Sequence, residues 1–293
     1  MKKRKYIISF IIIFLFLFTY FISYKVTINK LPDNILSFLI FKYQGNKKIN
    51  NIDMVSFVLN EVNVTKSFLN DKKENKIKNK KEIVYNEQVP IVYIYNTHSD
   101  EEYSYEKNNS YNIIPTVKEA NYILESELKK LGILSVIEQN QTTKIVNERN
   151  LPYSLSYKVS RELLENKKIE YPSLIYFIDL HRDSVERNIT TVEINGKNYA
   201  RTMFLLGLEN PSYEDNKQVM TSLNNYLDTN YKGLSRGIYE KKGKGVNGVY
   251  NQDFNKNTVL IEVGGVDNTI EEVSNSLKVI AECLYEYINS TKS

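Results

Sequence analysis

The sequence contains two histidines, and each directly follows a run of residues that is typical of a buried β-strand. His98 comes after Val89 to Tyr95, and His181 comes after Leu174 to Leu180. Both lie beside carboxylates, in the segments YNTHSDEEY and IDLHRDS. A single histidine beside a carboxylate is often only a hydrogen-bonded polar residue. Ligands of open α/β sheets, however, gather beyond the carboxyl ends of the strands, so two histidines in these places favour one shared site.

A carboxylate three residues after the first histidine completes a set of metal ligands. The spacing H-x-x-E lets a tight turn bring His98 and Glu101 to the same ion, and His181 would add a third donor. Two nitrogen donors, one oxygen donor and an open fourth position are typical of catalytic zinc, which acidifies a bound water molecule. Three other carboxylates remain alternatives to Glu101: Asp100, Glu102 and Glu119.

An acidic residue in a later apolar run is the candidate proton carrier. Glu262 lies within VLIEVGG, where a carboxylate without a partner would be costly to bury. We interpret it as the general base for the attacking water and then as the general acid for the leaving amine of an amide. Gly264 and Gly265 follow it and permit close backbone approach. The alternative is a structural ion pair with Arg182, Arg201 or Arg236.

Composition and motifs exclude several other classes of function. The cluster Lys2 to Lys5 accounts for the net charge of +4, so we expect no nucleic-acid partner. The single cysteine, Cys283, cannot form a disulfide framework within one chain and has no nearby histidine to activate it. No G-x-S-x-G motif is present, and the segment Gly243 to Gly248 lacks the spacing of a P-loop.

The N-terminal residues predict a membrane anchor. Tyr6 to Tyr24 carries no charge, and as a helix it would extend about 28 Å, enough for a bilayer core. A cleaved signal peptide is the alternative, but no small-residue cleavage site precedes Lys25. The basic cluster before the apolar run favours a cytoplasmic N-terminus. The predicted organisation is a cytoplasmic tip and single-pass cell-membrane anchor over residues 1–25, a juxtamembrane stalk and lysine-rich linker over 26–86, and a catalytic domain outside the cytoplasm over 87–293.

The alternation of strand-like and helix-like segments predicts the fold class. It favours an α/β domain with a mainly parallel central sheet, flanking helices and right-handed crossovers. Asn195-Gly196 is the strongest hairpin motif. Strands are predicted over residues 89–95, 133–137, 174–180 and 259–263, with a hairpin of 190–194 and 199–206. Helices are predicted over residues 117–131, 155–166, 213–229 and 270–288.

Residues 88–290 carry a resemblance to a known family in five blocks. In chain order the blocks read IVYIYNTHSDEEY, YFIDLHRDS, LLGLENPSYEDN, LSRGIYEK and GVYNQDFNKNTVLIEVGGVDNTIEEV. Together with the predicted anchor, they resemble the stage II sporulation protein P family of endospore-forming bacteria, whereas residues 25–87 match only in character. The first block departs from many members at Asn96, where histidine is usual, and in its acidic run Asp100 to Glu102, which leaves the choice of carboxylate ligand open.

This resemblance implies a zinc amidase-like fold and an N-acetylmuramoyl-L-alanine amidase. The implied reaction cleaves the bond between muramic acid and the stem peptide of peptidoglycan, with endopeptidase action on cross-links also described, for septal wall thinning and engulfment in sporulation. The implied partners are the sporulation glycan-cleaving protein D and the membrane protein M. Carried over residue by residue, the resemblance implies zinc ligands at His98, Glu101 and His181 and a catalytic carboxylate at Glu262. Four further residues fall on motif positions and are expected to bind substrate or to support the site: Arg182, Asn210, Asn251 and Gln252.

Two alternatives to the amidase stay open at the level of sequence. A catalytically inactive peptidoglycan-binding scaffold would recruit a glycan-cleaving partner and would not depend on Glu262. A zinc carboxypeptidase or endopeptidase would act on the stem peptide itself, because H-x-x-E with a later His and Glu serves either reaction. Our hypothesis is the amidase, tethered to the membrane so that its local concentration at the wall is high.

Overall fold

The computed structural model describes residues 89–104 and 114–291. The predicted anchor over residues 1–25 and the predicted stalk and linker over 26–86 lie outside the described residues. Within the described ranges, no helix has the length and apolar character needed to cross a bilayer.

A six-stranded sheet forms the centre of the described domain. The strands are β1 (Val92–Tyr95), β2 (Ser135–Ile137), β3 (Tyr176–Asp183), β4 (Thr191–Ile194), β5 (Lys197–Ala200), β6 (Thr202–Gly207), β7 (Ser235–Lys241) and β8 (Thr258–Gly265). The central sheet has the order β2-β1-β3-β8-β6-β7, and β4 pairs with β5 in a separate hairpin. Neighbouring strands of the central sheet are parallel except for β6 and β8. The predicted α/β class with a mainly parallel sheet is therefore confirmed.

Helices flank this sheet and bury its apolar side chains. They are α1 (Val117–Lys130), α2 (Thr142–Glu148), α3 (Ser156–Glu170), α4 (Arg187–Thr190), α5 (Tyr213–Asn230) and α6 (Ile270–Ser290). Tyr93 and Tyr95 lie on one face of β1 because they are two residues apart, and they pack with Leu164 of α3 in a fully buried cluster. Helices α1 and α6 pack against each other. The long helices match the predicted segments to within a few residues at each end.

The predicted strand over residues 199–206 is wrong as a single element. The structure divides it at Arg201, so that β5 pairs with β4 and β6 joins the central sheet beside β8. The side chain of Arg201 donates hydrogen bonds to the backbone carbonyls of Gly233, Ile189 and Ser235. These bonds hold the chain at the crossing between the two sheets, and the hairpin turn itself lies at Asn195 and Gly196 as predicted.

Helix α2 and strand β7 are two of the elements that the sequence pattern did not predict. Helix α2 has seven residues, too few for a clear helical period, and the side chain of its N-cap residue, Gln141, makes no capping hydrogen bond. Strand β7 lies at the edge of the sheet, is mostly half-buried and contains Gly237 with a φ of 91°. Neither element has the regular apolar pattern on which sequence reasoning depends.

Candidate metal and catalytic site

Strands β3 and β8 bring the second histidine and the late glutamate together. His181 and Glu262 are Cα partners in this parallel pair. Opposite residues in neighbouring strands have side chains on the same face of the sheet, so the imidazole and the carboxyl group lie side by side. His181 is 2% exposed. Both residues lie near the carboxyl ends of their strands, where the sequence places the site.

A turn after β1 carries His98 and Glu101 to the same place. The backbone N–H of Glu101 donates to the carbonyl of His98 at 3.3 Å, which closes the tight turn expected from H-x-x-E. The rings of His98 and His181 are nearly perpendicular, with centroids 5.3 Å apart. Oε2 of Glu101 lies 3.2 Å from Nδ1 of His181 and accepts a hydrogen bond from the backbone N–H of Arg182. Three residues from two distant segments therefore meet in one cluster.

Burial and neighbouring charges set the protonation of these groups. Burial, reinforced by His181, lowers the pKa of His98 to about 4, so this imidazole is neutral at pH 7. Burial alone would lower the pKa of His181, but Asp179 and Glu101 raise this pKa well above its usual value of 6.5. Burial raises the pKa of Glu262 to about 7, so its acid and its carboxylate forms are both populated near neutrality.

The donor atoms of this cluster fit zinc. Nδ1 of His98 and Oε2 of Glu262 are buried without a hydrogen-bond partner among the described residues, and an orphaned buried polar atom is costly unless a ligand engages it. Two atoms bound to one tetrahedral zinc lie about 3.3 Å apart, close to the 3.2 Å between Glu101 and His181. In residues 89–104 and 114–291, no three His, Cys, Asp or Glu side chains already stand as a complete metal site. The fit therefore rests on donor chemistry and on the orphaned atoms.

The carboxylates that competed with Glu101 in the sequence are placed differently. Asp100 is exposed, and its side chain accepts from the hydroxyl of its neighbour Ser99. Glu102 is exposed, and its backbone pairs with Thr116 in an isolated bridge. Glu119 closes the capping box at the start of α1 by accepting from the backbone N–H of Thr116. Glu101 is the member of this group that contacts His181.

The arginines that the sequence offered as partners for Glu262 bind elsewhere. Arg236 forms an ion pair with Asp183 at 2.7 Å. Arg182 donates through Nε to the carbonyl of Glu102, and Arg201 donates to three backbone carbonyls. Among the described residues, Oε2 of Glu262 has no hydrogen-bond donor. This arrangement favours the proton-carrier role over the structural ion pair.

Sequence reasoning missed Asp179, which lies on the opposite side of the His181 ring from Glu101. Its Oδ1 is 2.9 Å from Nε2 of His181. This distance suits a hydrogen bond, but the N–H of the ring does not point at the oxygen. Its carboxylate also accepts from the backbone N–H and the hydroxyl of Thr97. Because Asp179 precedes His181 by two residues in a strand, the two-residue period of β-structure is the pattern that identifies it.

Three residues assigned to substrate binding by resemblance have their side-chain amides engaged within the protein. Asn210 donates to Asn216, and Gln252 bonds to the backbone N–H of Gly207 and the carbonyl of Leu205. Both are 1% exposed, so the structure favours a supporting role for them over direct contact with substrate. Asn251 donates to a carbonyl and a hydroxyl on α3 and is also buried. Arg182 is partly exposed at the cluster and remains a candidate for substrate contact.

Asn96 marks the departure from the family pattern and is likewise engaged within the protein. It forms a reciprocal pair of amide contacts with Asn121 of α1, at 3.1 and 2.6 Å. It also donates to the carbonyl of Leu180, the residue before His181. This buried amide therefore ties the loop after β1 to the strand that carries His181.

Two tyrosines enclose His98, and sequence reasoning assigned neither to the site. Tyr153 stacks on the His98 ring with centroids 4.5 Å apart and is 61% exposed. Tyr157 of α3 meets the same ring edge-on at 5.5 Å. An aromatic ring that is exposed on one face and fixed on the other is suited to contact a bound substrate.

The paired glycines at the end of β8 allow close packing beside the site. A Cβ at Gly265 would lie 2.5 Å from the carbonyl oxygen of Val185, and a Cβ at Gly264 would lie 2.7 Å from Oδ1 of Asn268. Gly264 also has a φ of 71°, which favours glycine. The close backbone approach that the sequence predicts at Gly264 and Gly265 is therefore present.

Comparison with known families gives a match that covers most of the chain. The sequence model of the family described as Stage II sporulation protein P matches residues 42–285. The Stage II sporulation protein P of Bacillus subtilis (strain 168) is 33% identical over 202 residues, which is 67% of this chain and 50% of that protein. The chain thus spans about half the length of the curated relative that it matches.

Comparison with solved structures gives similarities to three amidases. The N-acetylmuramoyl-L-alanine amidase AmiC2 of Nostoc punctiforme has a TM-score of 0.39 and 11% identity, covering 68% of this chain and 97% of that chain. The CwlD amidase from Clostridioides difficile, in complex with the GerS lipoprotein, has a TM-score of 0.42 and 15% identity, with coverages of 68% and 97%. An N-acetylmuramoyl-L-alanine amidase from Clostridium difficile 630 has a TM-score of 0.40 and 18% identity, with coverages of 69% and 96%.

Proposed function

The chain belongs to the stage II sporulation protein P family, and we propose that it is a zinc-dependent peptidoglycan hydrolase that acts in sporulation. The proposed reaction is hydrolysis of the amide bond between N-acetylmuramic acid and L-alanine. Peptide cross-links, which are also amide bonds, are the proposed second substrate. One observation carries the proposal. Glu262 lies directly opposite His181, burial raises its pKa to about 7, and its Oε2 has no hydrogen-bond partner among the described residues.

Glu262 supplies the proton transfers that amide hydrolysis requires. Its carboxylate form accepts a proton from the attacking water, and its acid form returns a proton to the departing amine. A pKa of about 7 suits both steps, since each form is well populated near neutral pH. An arginine partner would hold the carboxyl group ionised, and the nearby Arg236 is instead paired with Asp183.

His98, Glu101 and His181 are the residues that would hold the metal. When bound there, zinc would act as a Lewis acid toward the scissile carbonyl group. His98 is neutral at pH 7, so its buried Nδ1 is free to donate a lone pair. Glu101 is fixed toward His181 by the backbone N–H of Arg182, and the ring of His181 is held between Glu101 and Asp179. The chain thus presents the donors from well-ordered turns and strand ends.

Tethering and partners complete the proposal. The residues outside the described ranges include the predicted anchor, Tyr6 to Tyr24, and we propose that it holds the catalytic domain at the outer face of the cell membrane. Acidic residues outnumber basic residues over 87–293, so this domain gains little by electrostatic attraction to an anionic wall polymer, and local concentration would provide the encounter. The partners that we propose are the sporulation glycan-cleaving protein D and the membrane protein M.

Product analysis tests the bond that is cleaved. Purified peptidoglycan, whole or first shortened by a glycan-cleaving enzyme, would be incubated with the zinc-loaded full-length chain, and the soluble products would be identified by mass spectrometry. An amidase releases complete stem peptides and leaves lactyl carboxyl groups on the glycan. Shortened or uncross-linked stems without free lactyl groups would identify a peptidase instead.

A pair of Glu→Gln variants tests whether the protein is a catalyst. Glu262→Gln removes the proton carrier, whereas Glu193→Gln makes the same chemical change at an exposed position of strand β4. We expect product release to be lost in the first variant and kept in the second, with peptidoglycan binding kept in both. If the zinc-loaded wild-type chain bound peptidoglycan and released nothing, the scaffold hypothesis would replace the hydrolase.

A further inference from the structure

Two consecutive non-glycine residues beside the site have left-handed backbone conformations. Tyr250 and Asn251 have φ values of 55° and 56°. This conformation is unfavourable for residues that carry a Cβ, and backbone strain of this kind concentrates at functional sites. The corner that the two residues form precedes a 3-10 turn, Gln252–Phe254. We name it the Tyr250–Asn251 corner.

The first residue of the corner reaches His98 through one intermediate ring. Tyr250 meets Tyr157 edge-on, with ring centroids 5.2 Å apart. Tyr157 in turn meets His98 edge-on at 5.5 Å. Tyr157 is half-buried and packs against the cluster of Leu205, Tyr250 and Leu260, which restricts the movement of its ring. Packing from the corner therefore limits the positions that the His98 ring can adopt.

The second residue of the corner reaches His181 through a buried chain of hydrogen bonds. Asn251 donates to the hydroxyl of Ser160 at 2.9 Å, and the hydroxyls of Ser160 and Thr97 are 2.8 Å apart. Thr97 donates to Oδ2 of Asp179 at 2.6 Å. The other oxygen of Asp179 lies 2.9 Å from Nε2 of His181.

The direction of this chain follows from the chemistry of its ends. A carboxylate accepts, so the single hydroxyl proton of Thr97 goes to Asp179. The hydroxyl of Ser160 then has two acceptors within reach, Thr97 and the carbonyl of Tyr157. The amide of Asn251 donates to Ser160 and also to the carbonyl of Tyr157. The amide of Asn251 is thus the starting donor of a chain that ends beside His181.

The left-handed corner explains how both contacts arise from adjacent residues. Tyr157 and Ser160 are three residues apart on α3 and therefore share one face of that helix. In an extended strand, successive side chains point to opposite sides, so Tyr250 and Asn251 would not both reach α3. The unusual backbone places both side chains on that helix face.

We propose that the Tyr250–Asn251 corner is the positioning element of the metal site, holding His98 through Tyr157 and His181 through Ser160, Thr97 and Asp179. This inference rests on the proposed function, because it takes the two imidazoles as zinc ligands. It assigns Asn251 as a positioning residue, where the resemblance to the family left substrate binding and support of the site both open. The expected consequence is that changes at the corner alter zinc affinity without altering any zinc ligand.

The test compares two Asn→Gly variants of the full-length chain. Glycine adopts the left-handed conformation freely, so Asn251→Gly removes the amide and keeps the corner. Asn195→Gly makes the same change at another left-handed asparagine, φ 52°, in the hairpin turn between β4 and β5. Zinc affinity would be measured by competition with a chromophoric chelator, and folding by thermal unfolding of the metal-free chain. Supporting residues around metal ligands typically change affinity by about 10–100-fold, and we expect a fall of about tenfold for Asn251→Gly and no change for Asn195→Gly.

A second variant tests the middle of the chain of hydrogen bonds. Ser160→Ala removes the hydroxyl on α3 and substitutes the best helix-forming residue, so it keeps the proposal testable if Asn251→Gly does not fold. We expect the same loss of zinc affinity, and no further loss in the double variant because both changes break one chain. The sequence has two histidines, so an imidazole nitrogen NMR spectrum contains few signals to assign. We expect the signals of His181 to shift in both variants.

The outcomes separate this inference from the proposed function. If folded Asn251→Gly and Ser160→Ala bound zinc as tightly as Asn195→Gly, the positioning role would be wrong whether or not the protein is an amidase. If the variants lost affinity as expected but the wild-type chain released no product, the inference would stand and the hydrolase proposal would fail. A wild-type chain that bound no zinc would overturn both.

Discussion

His181 and Glu262 lie directly opposite each other on neighbouring parallel strands, although a hairpin, two α-helices and two further strands separate them along the chain. The reason is the position of β8, the last strand, which inserts between β3 and β6 in the centre of the sheet. The pairing of β3 with β8 therefore places Glu262 beside His181. The site is complete only when the last strand is in place.

The proton-carrier role predicts the kinetic effect of Glu262→Gln. General acid and base groups typically contribute about 10²–10⁴-fold in rate, and we expect kcat for release of stem peptides to fall within that range. Zinc affinity should change far less, because the proposed ligands are His98, Glu101 and His181. Turnover would be measured by product release and metal content by elemental analysis.

The ligand variant His181→Ala provides the contrast. It should lose both bound zinc and activity, so the two variants together distinguish proton transfer from metal binding. Glu262→Gln could instead keep more than about a tenth of the wild-type rate. This loss would be smaller than the smallest usual contribution of a general acid or base, so another residue would have to carry the proton.

Asp179 predicts a separate effect on the metal. It is 1% exposed and contacts the His181 ring on the side opposite Glu101. Loss of a carboxylate that orients a metal-binding histidine typically lowers affinity by about 10–100-fold, and we expect that range for zinc binding by Asp179→Asn. Glu138→Gln is the matched control, because Glu138 is another buried carboxylate that accepts hydrogen bonds, from Tyr93 and Asn140. Equal zinc affinities in the two variants would show that Asp179 does not orient the ring.

The sequence predicted those parts of the site that depend on regular structure. A histidine after each of two apolar runs and a glutamate within a third were expected at strand ends. The structure places His98 in the turn after β1, whereas His181 and Glu262 lie inside the carboxyl-terminal halves of β3 and β8. Parallel strands that are buried on both faces form continuous apolar runs, so their ends are visible in the sequence. The H-x-x-E turn at Glu101 depends only on local spacing, and the structure contains it.

The remaining parts depend on contacts that no local pattern encodes. Tyr157 lies on α3 and Tyr153 lies in the 3-10 turn just before it, so both contact His98 through tertiary packing, and neither stands out among the 23 tyrosines. The left-handed backbone at Tyr250 and Asn251 has no glycine to indicate it. The division of the chain at Arg201 was missed because its stabilising hydrogen bonds go to carbonyls in two distant segments. Each of these features is set by tertiary packing.

Tyr153 predicts an effect on the electrostatics of His98. Burial is the largest cause of the lowered pKa of His98, and the stacked ring of Tyr153 provides part of that burial. Tyr153→Ala should therefore raise the pKa of His98 from about 4 toward its usual 6.5 in the metal-free chain. Proton NMR titration of the two imidazoles would measure it, with Tyr239→Ala, another exposed tyrosine, as the control. An unchanged pKa in Tyr153→Ala would mean that other groups account for the burial.

The ion pair between Arg187 and Glu272 predicts how stability depends on pH. Burial would raise the pKa of Glu272, but hydrogen bonds from Arg187 and Asn268 lower it below its usual 4.5. A depressed pKa stabilises the folded state above the unfolded pKa, and this stabilisation is lost as the pH falls through the folded pKa. Glu272→Gln should lower the free energy of unfolding by about 1–2 kcal/mol at pH 7, with the deficit shrinking progressively below pH 4.5.

Urea unfolding at a series of pH values would measure this deficit, and the neighbouring Glu271 supplies the control. Glu271 and Glu272 both lie in the first turn of α6, so each Glu→Gln change removes one negative charge from the helix N-terminus. Glutamine at position 272 still serves the capping box with Thr269, so the difference between the variants isolates the ion pair. Equal deficits for Glu271→Gln and Glu272→Gln at pH 7 would show that the helix terminus accounts for the whole effect. A deficit for Glu272→Gln that stayed constant from pH 7 to pH 3 would show that the charge of Glu272 is not its source.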